Sequence, residues 1–293
     1  MQWHKLAFLF LIVTFLQFIF TYLWVNNYTM NTIQDLRFAV LIDADNVPYS
    51  NVKGMLEEIA KYGTPTYKRI YGDWTKPTVS GWKGVLLENA ITPIQQYSYT
   101  TGKNATDSAL IIDAMDILYS GKVDGFCIVS SDSDFTRLAT RLREEGMKVI
   151  GMGQKKTPKP FITACDKFIY IEILAGSENK KAIVKKTVRA SKNEKAHPEP
   201  EPIEITETKE TLSTIDSGLI KVIRNSINDL ADETGWAFLG DLGNLILKKQ
   251  PDFDARNYGF PKMLPLIKSI DNFLVDERET GKNNIKHVFV KNK

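Results

Sequence analysis

Two short acidic clusters, LIDADN at residues 41–46 and VSSDSDF at 129–135, each close an apolar run, and a third acid, Asp107, lies between them. An apolar run that ends in a carboxylate is the pattern of a buried parallel strand leaving the core, and open α/β sheets bind ligands beyond the carboxyl ends of their strands. Asp43 is the first polar residue after FAVLI, which puts its side chain at that edge as a metal ligand, while Asp132 and Asp134 bracket Ser133. A capping or turn-forming Asx residue accounts for one of Asp43, Asp45 and Asn46, not for three polar residues in four positions. Asp45 is read as the capping or outer residue, and Asn46 as one that orients a ligand by hydrogen bonding. Converging carboxylates with few cations nearby repel one another unless they share an ion, and Mg²⁺ or Mn²⁺ prefers oxygen ligands. The chemistry implied is metal-assisted hydrolysis of a phosphodiester.

The elements that must hold these acids read as strand, helix, strand. FAVLID, TPTYKRIYG, ITPIQQYSY, GFCIVSS and MKVIGMG predict five strands, with helices over Val52–Tyr62, from about Thr106 to Tyr119, and after Ser133, which is read as its cap. At 100° per residue, Ile111, Ala114 and Leu118 lie within about 40° of Asp107, so Asp107 faces inward and Asp113 and Asp116 outward. Ser130 and Ser131 are candidates for holding a metal-bound water or a phosphate oxygen. Lys103, in the loop TTGKNAT, is placed to steady a substrate backbone, and the KKTPK run at 155–159 reads as a surface loop. The alternation predicts an α/β fold: a parallel sheet with helices on both faces, closing near Leu174.

At 293 residues and net charge +3, the chain is long enough for two domains, and its charge does not by itself call for a nucleic acid. Cys127 and Cys165 lack metal-site or disulfide spacing, and His4, His197 and His287 all fall outside the acidic region, so catalysis there has no histidine base. Residues 6–25 form an apolar stretch long enough to span a bilayer. Lys5 would keep the amino end in the cytoplasm and export everything after it, and Met30 stands directly before the first polar segment. Residues 1–29 are therefore either an anchor or the product of a misassigned start, with a cytoplasmic protein beginning at Met30 and membrane attachment only if 6–25 is expressed. Residues 176–212 read as a charged flexible linker. Residues 213–293, with apolar helical spacing followed by FLVDE and HVFV, predict a small α+β winged helix.

The ordered motifs LIDADN, GKNATDSALIIDAMD and VSSDSDF resemble the NYN domain, a branch of the PIN-like metal-dependent ribonucleases, over residues 37–174. The resemblance implies that Asp43, Asp107, Asp132 and Asp134 hold Mg²⁺ or Mn²⁺ and activate water, with Asn46 in support. DFDARNYGFPKMLPLIKSIDNFLV is similar to the OST-HTH or LOTUS domain, an RNA-binding winged helix. That likeness implies RNA as a partner, with Lys248, Lys249, Arg256 and Lys262 as exposed bases and Tyr258 and Phe260 in the core. A protein partner of the second domain and a homo-oligomer stay open. Two rivals remain: a haloacid-dehalogenase-like phosphatase using Asp43 and Asp45, which has no use for Asp107, and a non-catalytic RNA-binding adaptor.

Overall fold

A computed structural model of the chain describes residues 35–79, 81–97, 105–174, 213–279 and 286–293, together with residue 17. Apart from Gln17, the apolar leader lies outside the described residues, as do Lys103 and the linker 176–212. Among the described residues no helix is long and apolar enough to cross a membrane.

The first domain runs β1 (Arg37–Asp43), α1 (Val52–Ile59), β2 (Thr64–Gly72), α2 (Trp82–Asn89), β3 (Thr92–Gln95), α3 (Ala105–Tyr119), β4 (Gly125–Val129), α4 (Thr136–Glu144), β5 (Lys148–Gly153), α5 (Lys159–Ala164) and β6 (Lys167–Tyr170). Its six strands are ordered β3-β2-β1-β4-β5-β6 and every pair is parallel. Successive residues of β1 face opposite sides. Phe38, Val40 and Ile42 pack with Val52, Met55 and Ile59 of α1 and with Trp82 of α2. Ala39 and Leu41 pack with Leu110, Ala114 and Ile117 of α3 and Leu138 and Leu142 of α4. A strand covered on both faces needs apolar residues at every position, which is why β1 and β4 read as continuous apolar runs. The α/β sandwich of the sequence reading is therefore present, with six strands rather than five.

The sixth strand and the helices α2 and α5 are additions to that reading. The KKTPK run is turn and loop as far as Pro158, as the sequence reading has it, and Pro158 then stands in the N-cap position of α5, which buries Phe161 and Ile162. The five predicted strands omitted β6, a four-residue edge strand whose Phe168 and Ile169 are buried.

The second domain comprises α6 (Ser217–Leu230), β7 (Ala237–Phe238), α7 (Leu239–Lys249), α8 (Met263–Lys268), β8 (Phe273–Glu279) and β9 (Lys286–Asn292). Asp216 caps α6 by accepting the Leu219 N–H at 2.8 Å. Leu219, Ile223, Leu242, Ile246, Leu266 and Ile267 form its core, with Tyr258 and Phe260 packed at the edge. The predicted β8–β9 hairpin gains a third, short antiparallel strand, giving the order β7-β9-β8.

The two domains meet at the β6 edge. The Phe168 N–H, which points away from β5, donates to the Pro251 carbonyl at 2.8 Å. The Tyr170 hydroxyl donates to Asp252 at 2.9 Å. Arg256 reaches across to Glu58 of α1 with two bonds of 2.9 and 2.8 Å while also binding Asp254.

Candidate active site

The strand order reverses between β1 and β4, and at such a switch point the connections leave in opposite directions and open a crevice beyond the strand ends. The acids gather at that crevice. Asp43 ends β1 and continues the odd-numbered series Ala39 and Leu41, so it leaves the sheet on the side that α3 covers. It is 1% exposed. Three donors hold its carboxylate: Asn46 Nδ2 at 2.7 Å, Ser130 Oγ at 2.9 Å and the Asp45 N–H at 3.1 Å. Burial raises the Asp43 pKa above the ordinary carboxylate value, and the bonds from Asn46, Ser130 and Asp45 oppose that rise.

Asp107 lies in the first turn of α3, and one carboxylate oxygen each from Asp107, Asp132 and Asp134 fall within 4.8 Å of one another. Asp43 is not part of that three-way group, yet it is close enough to act on it electrostatically. Partial burial, then the negative charges of Asp43, Asp132, Asp134 and Asp45, push the Asp107 pKa up to about 6. An all-oxygen donor set in which Asp107 resists ionising beside its acidic neighbours fits a hard divalent cation, because the cation offsets that repulsion. Asp45 is exposed, in keeping with an outer role.

Several supporting parts depart from the sequence reading. The residue capping the turn after β4 is Asp132, whose Oδ1 accepts the Asp134 N–H at 2.9 Å, not Ser133. Ser130 and Ser131 are buried and already bonded: Ser130 Oγ also accepts the Asp132 N–H at 3.1 Å, and Ser131 Oγ accepts the Gln154 N–H at 2.9 Å. They position Asp43 and the loop instead of facing a ligand. Gly153, at the end of β5, permits this packing, since a Cβ there would stand 2.5 Å from the Ser130 carbonyl and 2.7 Å from Thr157 Oγ1. Asp113 does not simply face solvent. It accepts from the Tyr71 hydroxyl and pairs with Arg69, which ties α3 to β2 and so supports Asp107 from behind. The signal for this was available in β2, where a tyrosine and an arginine two residues apart share the α3 side of the strand.

The cations named for RNA contact are spread across the second domain. Lys248 and Lys262 are exposed. Lys249 bonds Asp229 at 2.6 Å and Ser226 at 3.0 Å. Arg256 is not the exposed base the sequence reading takes it for: it bridges Glu58 and Asp254, because burial of Glu58 leaves a carboxylate that requires a cation. Lys103 lies outside the described residues.

A comparison with curated proteins returns no match. Among solved structures, a protein of unknown function from Vibrio parahaemolyticus is 20% identical with a TM-score of 0.41, covering 48% of this chain and 96% of its own. An uncharacterized protein of Nitrosomonas europaea is 29% identical with a TM-score of 0.26, covering 34% of this chain and 92% of its own. The family comparison matches an NYN domain to residues 37–172 and an OST-HTH/LOTUS domain to residues 210–285. NYN domains are typically nucleases and OST-HTH/LOTUS domains bind RNA. The acids at the switch point thus lie in an NYN domain and the region docked on β6 is an OST-HTH/LOTUS domain, a pairing consistent with an RNA-binding nuclease.

Proposed function

We propose that the chain is a Mg²⁺- or Mn²⁺-dependent endoribonuclease whose second domain adds affinity for RNA. The observation that carries this reading is the grouping of Asp107, Asp132 and Asp134 within 4.8 Å beside the buried Asp43, at the crevice of a parallel sheet. Asp107, Asp132 and Asp134 hold the ion, and Asp43 forms the floor of the site, kept in place by Asn46 and Ser130. Bound there, the ion supplies a more acidic water and neutralises charge on a phosphodiester. The carboxylates around the ion would orient that water and accept its proton. Asp134 is the solvent-exposed member of the acidic group. The phosphatase reading has less support, since Asp43 is buried under three hydrogen bonds and the requirement for Asp107 goes unexplained. An RNA substrate goes with a cytoplasmic setting.

Mn²⁺ titration of the full chain, followed by electron paramagnetic resonance of the free ion, tests the metal assignment separately from activity. Saturable binding that Asp107→Asn and Asp132→Asn each weaken by tenfold or more is the expected result. Equal binding by the variants and the parent protein rules this ligand set out.

A further inference from the structure

The outer face of the β7-β9-β8 sheet carries a row of aromatic rings, and we infer that this face is a stacking platform for single-stranded RNA bases. The inference rests on RNA being the substrate of the acid site and names the surface that would hold it. Strand alternation creates the row. Ala237, Val290 and Phe273 point into the core, at 0%, 0% and 5% exposure. Their neighbours Phe238, Phe289 and His287 therefore point out. Phe238 is directly opposite Phe289, and His287 is opposite Arg278. The Phe238 ring centroid lies 5.4 Å from that of His287 and 5.8 Å from that of Phe289, with interplanar angles of 48° and 58°. The rings are in contact and tilted against one another, and Phe238, 38% exposed, and His287 both reach solvent.

Cations interleave these rings. The Arg278 guanidinium lies 4.2 Å from the centroid of Phe289 and 5.5 Å from that of Trp236, and Lys291 Nζ stands 6.0 Å from Trp236 while donating to the Thr234 carbonyl. Of the acids beside this face, Asp276 is paired with Arg278 at 2.8 Å and Asp232 accepts the Thr234 and Trp236 N–H groups at 2.9 and 3.0 Å. Rings and guanidinium planes offer π surface to any base, and the nearby positive charge complements the phosphates that accompany it. Leu274, 42% exposed beside Lys291, is the aliphatic member of the face; an aromatic and cationic surface suits nucleotides better than the aliphatic surface of a protein partner. Bases inside a duplex are already stacked on one another, so the platform favours single strands.

The test uses the full chain in EDTA, with labelled single-stranded and duplex RNA, comparing the parent protein with Phe238→Ala, Phe238→Tyr and Lys291→Met, each checked for an unchanged circular dichroism spectrum. Phe238→Ala should weaken single-strand binding by roughly 5- to 100-fold with little change in salt dependence, because one stacked base is lost and no ion pair. Phe238→Tyr, which keeps the ring, should restore binding. Lys291→Met should lower the log–log salt slope by about 0.7. Parent-level binding by Phe238→Ala overturns the platform and leaves the RNA reading standing, and if that variant instead loses a co-purifying protein, the face is a protein dock. Failure of the parent protein to bind any RNA overturns the RNA reading together with the platform.

Discussion

Replacing Arg256 with methionine should release the OST-HTH/LOTUS domain from the NYN domain while leaving each domain folded. Glu58 is 3% exposed, and its carboxylate is held by two Arg256 bonds and by Lys61 at 2.5 Å. Burial would raise its pKa, but the bonds and charge of Arg256, and then of Lys61, bring it down from 4.5 to about 2. That lowering corresponds to about 3 kcal/mol, divided between the two cations. Removing Arg256 alone leaves a buried carboxylate short of its main partner, at a cost of about 2–3 kcal/mol. The population of separated domains should then rise roughly 30- to 150-fold. The reporter is the Phe168 amide, whose acceptor is Pro251. In hydrogen exchange at neutral pH, the peptide containing β6 should lose protection in Arg256→Met, whereas β5, inside the sheet, should not. The sign with pH follows from the lowered pKa: the contribution of Glu58 is complete above about pH 4.5 and fades as the pH falls toward 2. At pH 3 about 2 kcal/mol of it is gone, so the parent protein should approach the variant there. Unchanged exchange of β6 in Arg256→Met at pH 7 would refute the reasoning.

Asp107→Asn should stabilise the metal-free protein at pH 8 by about 1 kcal/mol, after allowance for solvent screening, and lose that advantage below about pH 4, because a carboxyl whose pKa rises to about 6 on folding opposes folding only when ionised; thermal melts with chelator at the two pH values read this directly. Asp45→Asn should leave cleavage of RNA within about twofold of the parent, since its side chain is exposed and outside the three-acid group, whereas a phosphatase using Asp45 as acid/base would lose activity by about 100-fold or more. Gly153→Ala should lower stability by about 1–3 kcal/mol, measured by urea denaturation, and reduce metal affinity with it, because the added methyl must displace the Ser130 backbone that fixes Asp43.

The parts of the fold that the sequence discloses are those whose residues answer to one constraint. β1 and β4 are buried on both sides, so nothing but packing selects their residues, and the polar residue that breaks each run marks the sheet edge where Asp43 and Ser130 lie. Asp107 is legible because a fifteen-residue helix carries a reliable angular phase. β6 escaped because four residues beginning with a lysine carry little periodicity, and its remaining hydrogen-bonding side is completed by Pro251, far along the chain. Arg256 is misread for the same reason: the buried carboxylate that claims it is 198 residues away. Asp132 as both helix cap and member of the acidic group shows that a local role and a chemical one can share a side chain, which spacing does not separate.

Cleavage of single-stranded RNA by the full chain, purified free of contaminating nuclease and assayed with Mn²⁺, Mg²⁺ or EDTA, tests the central claim most directly. The substitutions to pair with it are Asp107→Asn and Asp132→Asn, since asparagine keeps the size, and at position 132 the helix-capping oxygen, while removing the charge that attracts a hard cation. Internal cuts that require the divalent ion and disappear in both variants, with the fold intact, are the expected result. Cleavage that persists in EDTA, or at the parent rate in either variant, would contradict it.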